Sequence, residues 1–189
     1  VPQKPGQVRI IGGTHRRRLI HFPEVPGLRP TPDRVRETLF NWLGQDLHGQ
    51  RCLDVFAGSG ALGFEAASRG AARVLMLESS DQAYRALLSN QALLGFANLS
   101  VQRMDAFTWL ANQDARFDGI FLDPPFGMGM LERVLPQITA CLQAGGWIYI
   151  ESNQLPPLPA GFMVAREGRA GQSRFALLRE AGVDGEPVS

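Results

Sequence analysis

From Arg51 to Glu151 the chain alternates short apolar runs with helical stretches, and this rhythm restricts its fold more than any other feature. RCLDVF, ARVLMLE, LSVQRMD, FDGIFLD and GGWIYIE read as strands; ALGFEAASRG, DQAYRALLSNQALLG, AFTWLANQ and the stretch from Met130 to Leu142 read as the helices between them. Strands that are near-continuous apolar runs and alternate with helices form a parallel sheet covered on both faces. Such sheets bind ligands at the carboxyl ends of their strands. Beyond PPLPAG the rhythm breaks: FMVAREGRAGQSRFALLRE reads as two strands around Gly168 to Gly171, a terminal antiparallel hairpin, and the tail at 181–189 is expected to be disordered.

The front of the chain differs in charge. Between Val1 and Arg36 stand eight basic residues (Lys4, Arg9, Arg16, Arg17, Arg18, Arg29, Arg34, Arg36) against Glu24 and Asp33, although the whole chain carries only +1. Guanidinium groups donate paired hydrogen bonds to phosphate, so the cluster points to a nucleic-acid partner. QVRIIGGTHRRRLIHF reads as a hairpin about Gly12-Gly13 with arginines at its tip. RPTPDRVRETLFNWLG reads as a helix with Thr31 as N-cap, Pro32 at the first position, an apolar face of Val35, Leu39, Trp42 and Leu43, and Gly44 as its end. Arg34 and Arg36 lie off that face and are either solvated charges or phosphate contacts. Residues 1–44 are thus expected to form a basic extension, and 45–180 the main domain.

Composition excludes several classes. Hydrophobic residues are 44% and charged residues 20% of the 189, and no apolar run approaches the ~18 residues of a membrane span, so a cytosolic globular protein with no membrane partner is expected. Cys52 and Cys141 lie in apolar stretches and read as reduced core thiols. His15, His21 and His48 have no metal spacing with each other or with the cysteines, so no metal site is expected. Trp42, Trp109 and Trp147 fall within helix or strand patterns and read as core.

Four consecutive strands end in a carboxylate: Asp54, Glu78, Asp105 and Asp123. After the first comes DVFAGSGALG, with Gly58-x-Gly60-x-x-Gly63, a spacing that lets backbone approach a ligand at a helix N-terminus. An NAD site accounts for the glycines and for Glu78 as the ribose acceptor. Asp54, however, places an anion beside the loop, which suits a cation better than a pyrophosphate. S-adenosylmethionine lets every carboxylate find a partner: Asp54 the positive methionine end, Glu78 the ribose hydroxyls, Asp105 the adenine amino group.

The fourth acid opens Asp123-Pro124-Pro125-Phe126. Two prolines fix φ and remove N–H groups, so the segment is stiff. Its carbonyls, that of Pro124 above all, and the Asp123 side chain offer two acceptors for the hydrogens of an exocyclic NH2 and turn its lone pair toward a methyl donor. Phe126 offers a face on which an extruded base can stack.

These motifs resemble those of class I methyltransferases that act on exocyclic amines. RIIGG, GLRPTPDRVRETLFNWL, LDVFAGSGALGFEAASRGA and DPPF closely resemble the RsmD-type 16S rRNA guanine-N2 methyltransferases, from about Val8 to Leu178. The resemblance implies a Rossmann-like α/β fold, with a seven-stranded, mostly parallel sheet, a C-terminal antiparallel hairpin and an N-terminal β-hairpin plus helix extension. It implies S-adenosylmethionine as cofactor, held by Asp54, Phe56, Gly58, Gly60, Glu78, Asp105 and Ala106, with Asp123, Pro124, Pro125 and Phe126 catalytic. It also implies 16S rRNA, in the small subunit or its precursor, as partner of a monomer, with Arg9, Arg16, Arg17, Arg18, Arg29, Arg34 and Arg36 on the RNA and the extension helping to close the cofactor pocket. Acid 105 is often a neutral polar residue in relatives. An adenine-N6 DNA methyltransferase, an NAD-dependent oxidoreductase and a catalytically silent ribosome-assembly factor are the rival readings.

Overall fold

A computed structural model describes residues 6–182; Lys4 and the tail beyond Gly182 lie outside it. The chain opens with a hairpin of β1 (Gly6–Arg9) and β2 (Leu19–Phe22), followed by α1 (Asp33–Trp42). Then come β3 (Arg51–Asp54), α2 (Ala61–Ser68), β4 (Arg73–Glu78), α3 (Asp81–Leu94), β5 (Leu99–Arg103), α4 (Ala106–Leu110), β6 (Phe117–Leu122) and α5 (Met130–Ile138). After a 3-10 turn at Thr139–Cys141, β7 (Leu142–Ser152), β8 (Phe162–Ala170) and β9 (Ser173–Glu180) complete a seven-stranded sheet of order β5-β4-β3-β6-β7-β9-β8. β3 to β7 are parallel and the last two strands antiparallel, as expected. The order reverses between β3 and β6, and a reversal point of this kind opens a crevice at the strand ends.

Alternation along the strands divides the core into two layers. Cys52, Met76, Phe121, Tyr149, Phe175 and Leu177 face the hairpin, α1 and α2 with Ile10, Ile20, Leu39, Phe40 and Phe64. Leu53, Leu77, Ile120, Leu122, Ile148 and Ile150 face the other layer, which holds Trp109 of α4 and Leu131, Val134 and Leu135 of α5. Asp54, two residues after Cys52, and Asp123, two after Phe121, therefore share the face that the extension covers. Trp109 and Trp147 are buried, and Trp42 stacks on Phe175 at 5.4 Å. Cys52 and Cys141 are free buried thiols, and burial pushes Cys52 up to about 12. Inert packing, as read from the sequence, is their role.

The extension is fastened to the core by polar ties. Asn90 of α3 donates to the His21 carbonyl at 2.6 Å and accepts from its N–H at 3.0 Å, acting as a strand edge for β2. Ile11 and Gly12 N–H donate to the buried Glu65 carboxylate of α2 at 2.9 and 2.8 Å.

Two local expectations are corrected. α1 begins at Asp33 with the extended Pro32 at its N-cap and no side-chain cap, so Thr31 lies one residue too early to cap it. The C-terminal turn falls at the Gly171 end of the expected Gly168–Gly171 stretch, while Gly168 is inside β8; the Phe175 ring lies across Gly168, where a side chain would collide. Ala181, placed in the tail by the sequence, still donates to the Gly161 carbonyl at 2.8 Å.

Candidate active site

Asp54, at the end of β3, does two things with one carboxylate. Oδ2 accepts from the Gly63 N–H at 3.1 Å, satisfying a free donor in the first turn of α2. Oδ1 is buried with no hydrogen-bond partner among the described residues. Burial, opposed by the Gly63 amide, reinforced by the Glu78 charge and opposed again by the nearby Phe56 amide, pushes the carboxyl up to about 7. A buried oxygen held this way lacks a cation or a donor.

The glycine loop is braced from the next strand. Glu78 accepts from the N–H of Gly58 at 2.8 Å and of Ser80 at 2.8 Å. Four acceptor positions on one carboxylate leave capacity for ribose hydroxyls. Gly58 has φ +54 with nothing nearer than 3.9 Å to a Cβ built on it, so backbone is bare where a ligand would approach. Gly60, at φ +84, is instead crowded, with the Phe64 ring 2.6 Å and Leu87 2.7 Å from such a Cβ. The first glycine keeps space open and the second packs the turn. Phe56 leads into the loop, half-buried against the α4 side of the sheet.

At the outer strand Asp105 N-caps α4, Oδ1 accepting from Phe107 and Thr108 N–H at 3.0 and 3.1 Å. Capping is the ordinary task of an acid between a strand and a helix, and it leaves Oδ2 for a ligand. Ala106, its neighbour, is buried. The set formed by Asp54, Gly58, Glu78 and Asp105 fits S-adenosylmethionine: an unpaired buried carboxylate for its cationic end, bare backbone, a ribose acceptor and an exposed acceptor for its base.

On the other side of Asp54, the Asp123–Phe126 corner follows β6. Pro124 is buried, while Phe126 is 53% exposed. Thr31 donates to Asp123 Oδ2 at 3.2 Å, so the residue that fails to cap α1 ties the extension to this corner. Burial, and next the Glu151 charge, raise Asp123 well above the usual carboxylate range, with the Thr31 hydroxyl pulling the other way. Leu28, from the loop ahead of α1, lies against the Gly58 turn. A cavity of about 450 Å³ lined by Gln7, Arg9, Leu19, Thr31 and Asp33 opens between the hairpin and α1, reaching the corner at Thr31.

Among the arginines assigned to RNA, Arg9, Arg16, Arg17, Arg18, Arg29 and Arg34 are exposed. Arg36 is a correction. Its side chain is fully buried and donates to Glu65 Oε2 at 3.0 Å, Asp33 Oδ1 at 2.6 Å, the Arg9 carbonyl at 2.9 Å and the Thr31 carbonyl at 3.1 Å. It is a structural fork with four of its five N–H donors committed inside the fold, buried away from any phosphate. Thr31 and Glu151 lie beside Asp123 of the candidate site, and sequence reasoning did not assign them to it. Glu151, near the end of β7, is a fifth strand-end acid, and the run of acids carried that signal.

The chain is similar to known proteins along almost its whole length. Ribosomal RNA small subunit methyltransferase D of Escherichia coli (strain K12) is 45% identical over 186 residues, 93% of this chain and 92% of that one. The protein of the same name in Haemophilus influenzae is 38% identical over 185 residues, covering 93% and 95%. The solved structure of yhhF from Escherichia coli superposes with a TM-score of 0.84 at 43% identity, covering 93% of this chain and 98% of that one. With residues 8–179 matched by the model of the family described as Conserved hypothetical protein 95, the chain belongs to that family, the RsmD-type methyltransferases.

Proposed function

We propose that the chain acts in the cytoplasm, as a monomer, to methylate the exocyclic N2 of a guanine in 16S rRNA within the small ribosomal subunit or its precursor, with S-adenosylmethionine as donor. The observation that carries this reading is the orphaned Asp54 Oδ1 lying between a bare glycine loop and the diproline corner. When bound, S-adenosylmethionine supplies a methyl group on a sulfonium, an electrophile that needs an aligned nitrogen lone pair more than a strong base. Asp54 holds the cationic end, Gly58 gives room, Glu78 takes the ribose, and Asp105 and Ala106 face the adenine. Asp123 and the Pro124 carbonyl accept the two amine hydrogens, and Phe126 stacks on the base. Leu28 and Thr31 close the extension over this cleft. The exposed arginines hold phosphates on either side of the target.

Small subunits from a strain lacking the enzyme test the reading: incubated with the protein and labelled donor, their 16S rRNA should yield N2-methylguanosine on digestion. Label at adenine N6 in duplex DNA, or none in rRNA, would overturn it. Asp123→Ala should abolish labelling while leaving donor binding within a few-fold. A protein acting only as an assembly factor would keep its cellular role in that variant.

A further inference from the structure

The row of strand-end acids does not stop at Asp123. β6 and β7 pair in parallel with Leu122 opposite Ile150, so Asp123 and Glu151 are lateral neighbours on the same face. Glu151 is 7% exposed, and two hydroxyls hold it: Tyr149 Oη donates to Oε2 at 3.0 Å and Ser173 Oγ to Oε1 at 2.9 Å. Asp123 has the single Thr31 donor. Facing Asp123 are Glu151 and Tyr149 from β7, Asp54 from β3 and Thr31 from the extension, and among the described residues no cation bears on either carboxyl. A buried carboxylate with two hydroxyl donors and no ion pair, beside the acid proposed to meet the substrate, is a costly arrangement, since either hydroxyl could be satisfied by a neutral acceptor.

We propose that Glu151 is a positioning residue for methyl transfer: its anion, anchored by Tyr149 and Ser173, keeps Asp123 a strong acceptor that aligns the target amine and takes the proton it sheds. This rests on the exocyclic-amine reading above. As the amine lone pair forms the N–C bond, the methyl–sulfur bond breaks with its electron pair left on sulfur as a neutral thioether, and nitrogen bears the positive charge; its N–H bond toward Asp123 then breaks, that electron pair stays on nitrogen, and the proton forms an O–H bond at Asp123. The two donors favour the charge on Glu151, so the first proton the pair takes up on acidification goes to Asp123, and above that midpoint Asp123 is the free carboxylate that receives the proton from nitrogen. Burial raises both carboxyls.

The test is the carboxyl titration of Asp123, followed by carbon-13 NMR in the ligand-free protein, beside the pH profile of kcat on small subunits. In Glu151→Gln the Asp123 midpoint and the acid limb of kcat should both move down by about one pH unit or more, with kcat reduced several-fold and KM for the donor within two-fold. Ser173→Ala, which leaves the Glu151 carboxyl in place, should lower the Asp123 midpoint by less, and serves if Glu151→Gln does not fold. A midpoint that stays within about 0.3 pH units of wild type in a folded variant overturns the proposal, as does a fall in kcat without movement of the limb. The NMR reading needs no substrate, so a wild-type enzyme silent on rRNA would count against the substrate assignment alone.

Discussion

At Asp54 the helix turn needs an acceptor and the cleft needs an anion, and the residue meets both with one oxygen each. Asp54→Asn keeps the amide acceptor and removes the charge. It should weaken donor binding by ten-fold or more in calorimetry, yet stabilise the ligand-free protein at pH 8, because a raised carboxyl contributes stability below its unfolded value that is lost as pH climbs through about 7. The gain, roughly 2–4 kcal/mol at most, should shrink toward pH 5. For the same reason wild-type affinity for the donor should fall by up to ten-fold per unit as pH drops below about 7, since a protonated Asp54 must release its proton to meet a cation. Flat affinity from pH 5 to 8 would remove Asp54 from the cation's neighbourhood. The acids of this row are legible in the sequence because each ends an apolar run. Thr31 is not: its sequence context is that of a cap, and only the packing of the extension turns its hydroxyl to Asp123.

Among the elements, α2 carries the site on its N-terminus and the extension on its flank. Gly58→Ala and Gly60→Ala separate the two tasks of the glycine loop. Gly60→Ala meets Phe64 and Leu87 at a left-handed φ and should cost about 2–5 kcal/mol, read in urea melts. Gly58→Ala meets protein atoms only at ordinary contact distance, so it should cost only about 1 kcal/mol of strain yet impair donor binding by ten-fold or more. Equal losses of stability in both would contradict this division. On the flank, Glu65 joins Arg36 of α1 at 3.0 Å, Arg69 at 2.8 Å and two amides of the hairpin. Arg36→Met leaves that carboxylate short of a partner and should destabilise the fold by roughly 3–5 kcal/mol, seen as a Tm lower by about 10 °C. The βαβ rhythm, hence the sheet and its reversal point, is legible from local periodicity. Arg36 is not, because an arginine off the apolar face of a helix looks solvated until a hairpin distant in sequence folds over it.

For the molecule as a whole, the question is where its charge lies, since a net +1 gives little long-range attraction to RNA. Arg16, Arg17 and Arg18 stand exposed at the tip of a hairpin whose second strand is bound to α3 and whose loop is bound to α2 through Ile11, Gly12, Thr14 and His15, so they form a fixed rather than a trailing cationic surface. A rigid cationic tip releases counterions only from the phosphates within its reach, and each phosphate it no longer neutralises takes about 0.7 from the slope of log affinity against log salt for single-stranded RNA. Reversing all three to Glu should therefore flatten the slope for small-subunit binding by about two, raise KM for the subunit and leave Tm and donor affinity close to wild type. Arg36→Met should do the opposite, lowering Tm while the folded fraction binds with an unchanged slope. If the tip reversal leaves the slope alone, the hairpin faces away from RNA, and the exposed Arg9, Arg29 and Arg34 are left to hold the phosphates.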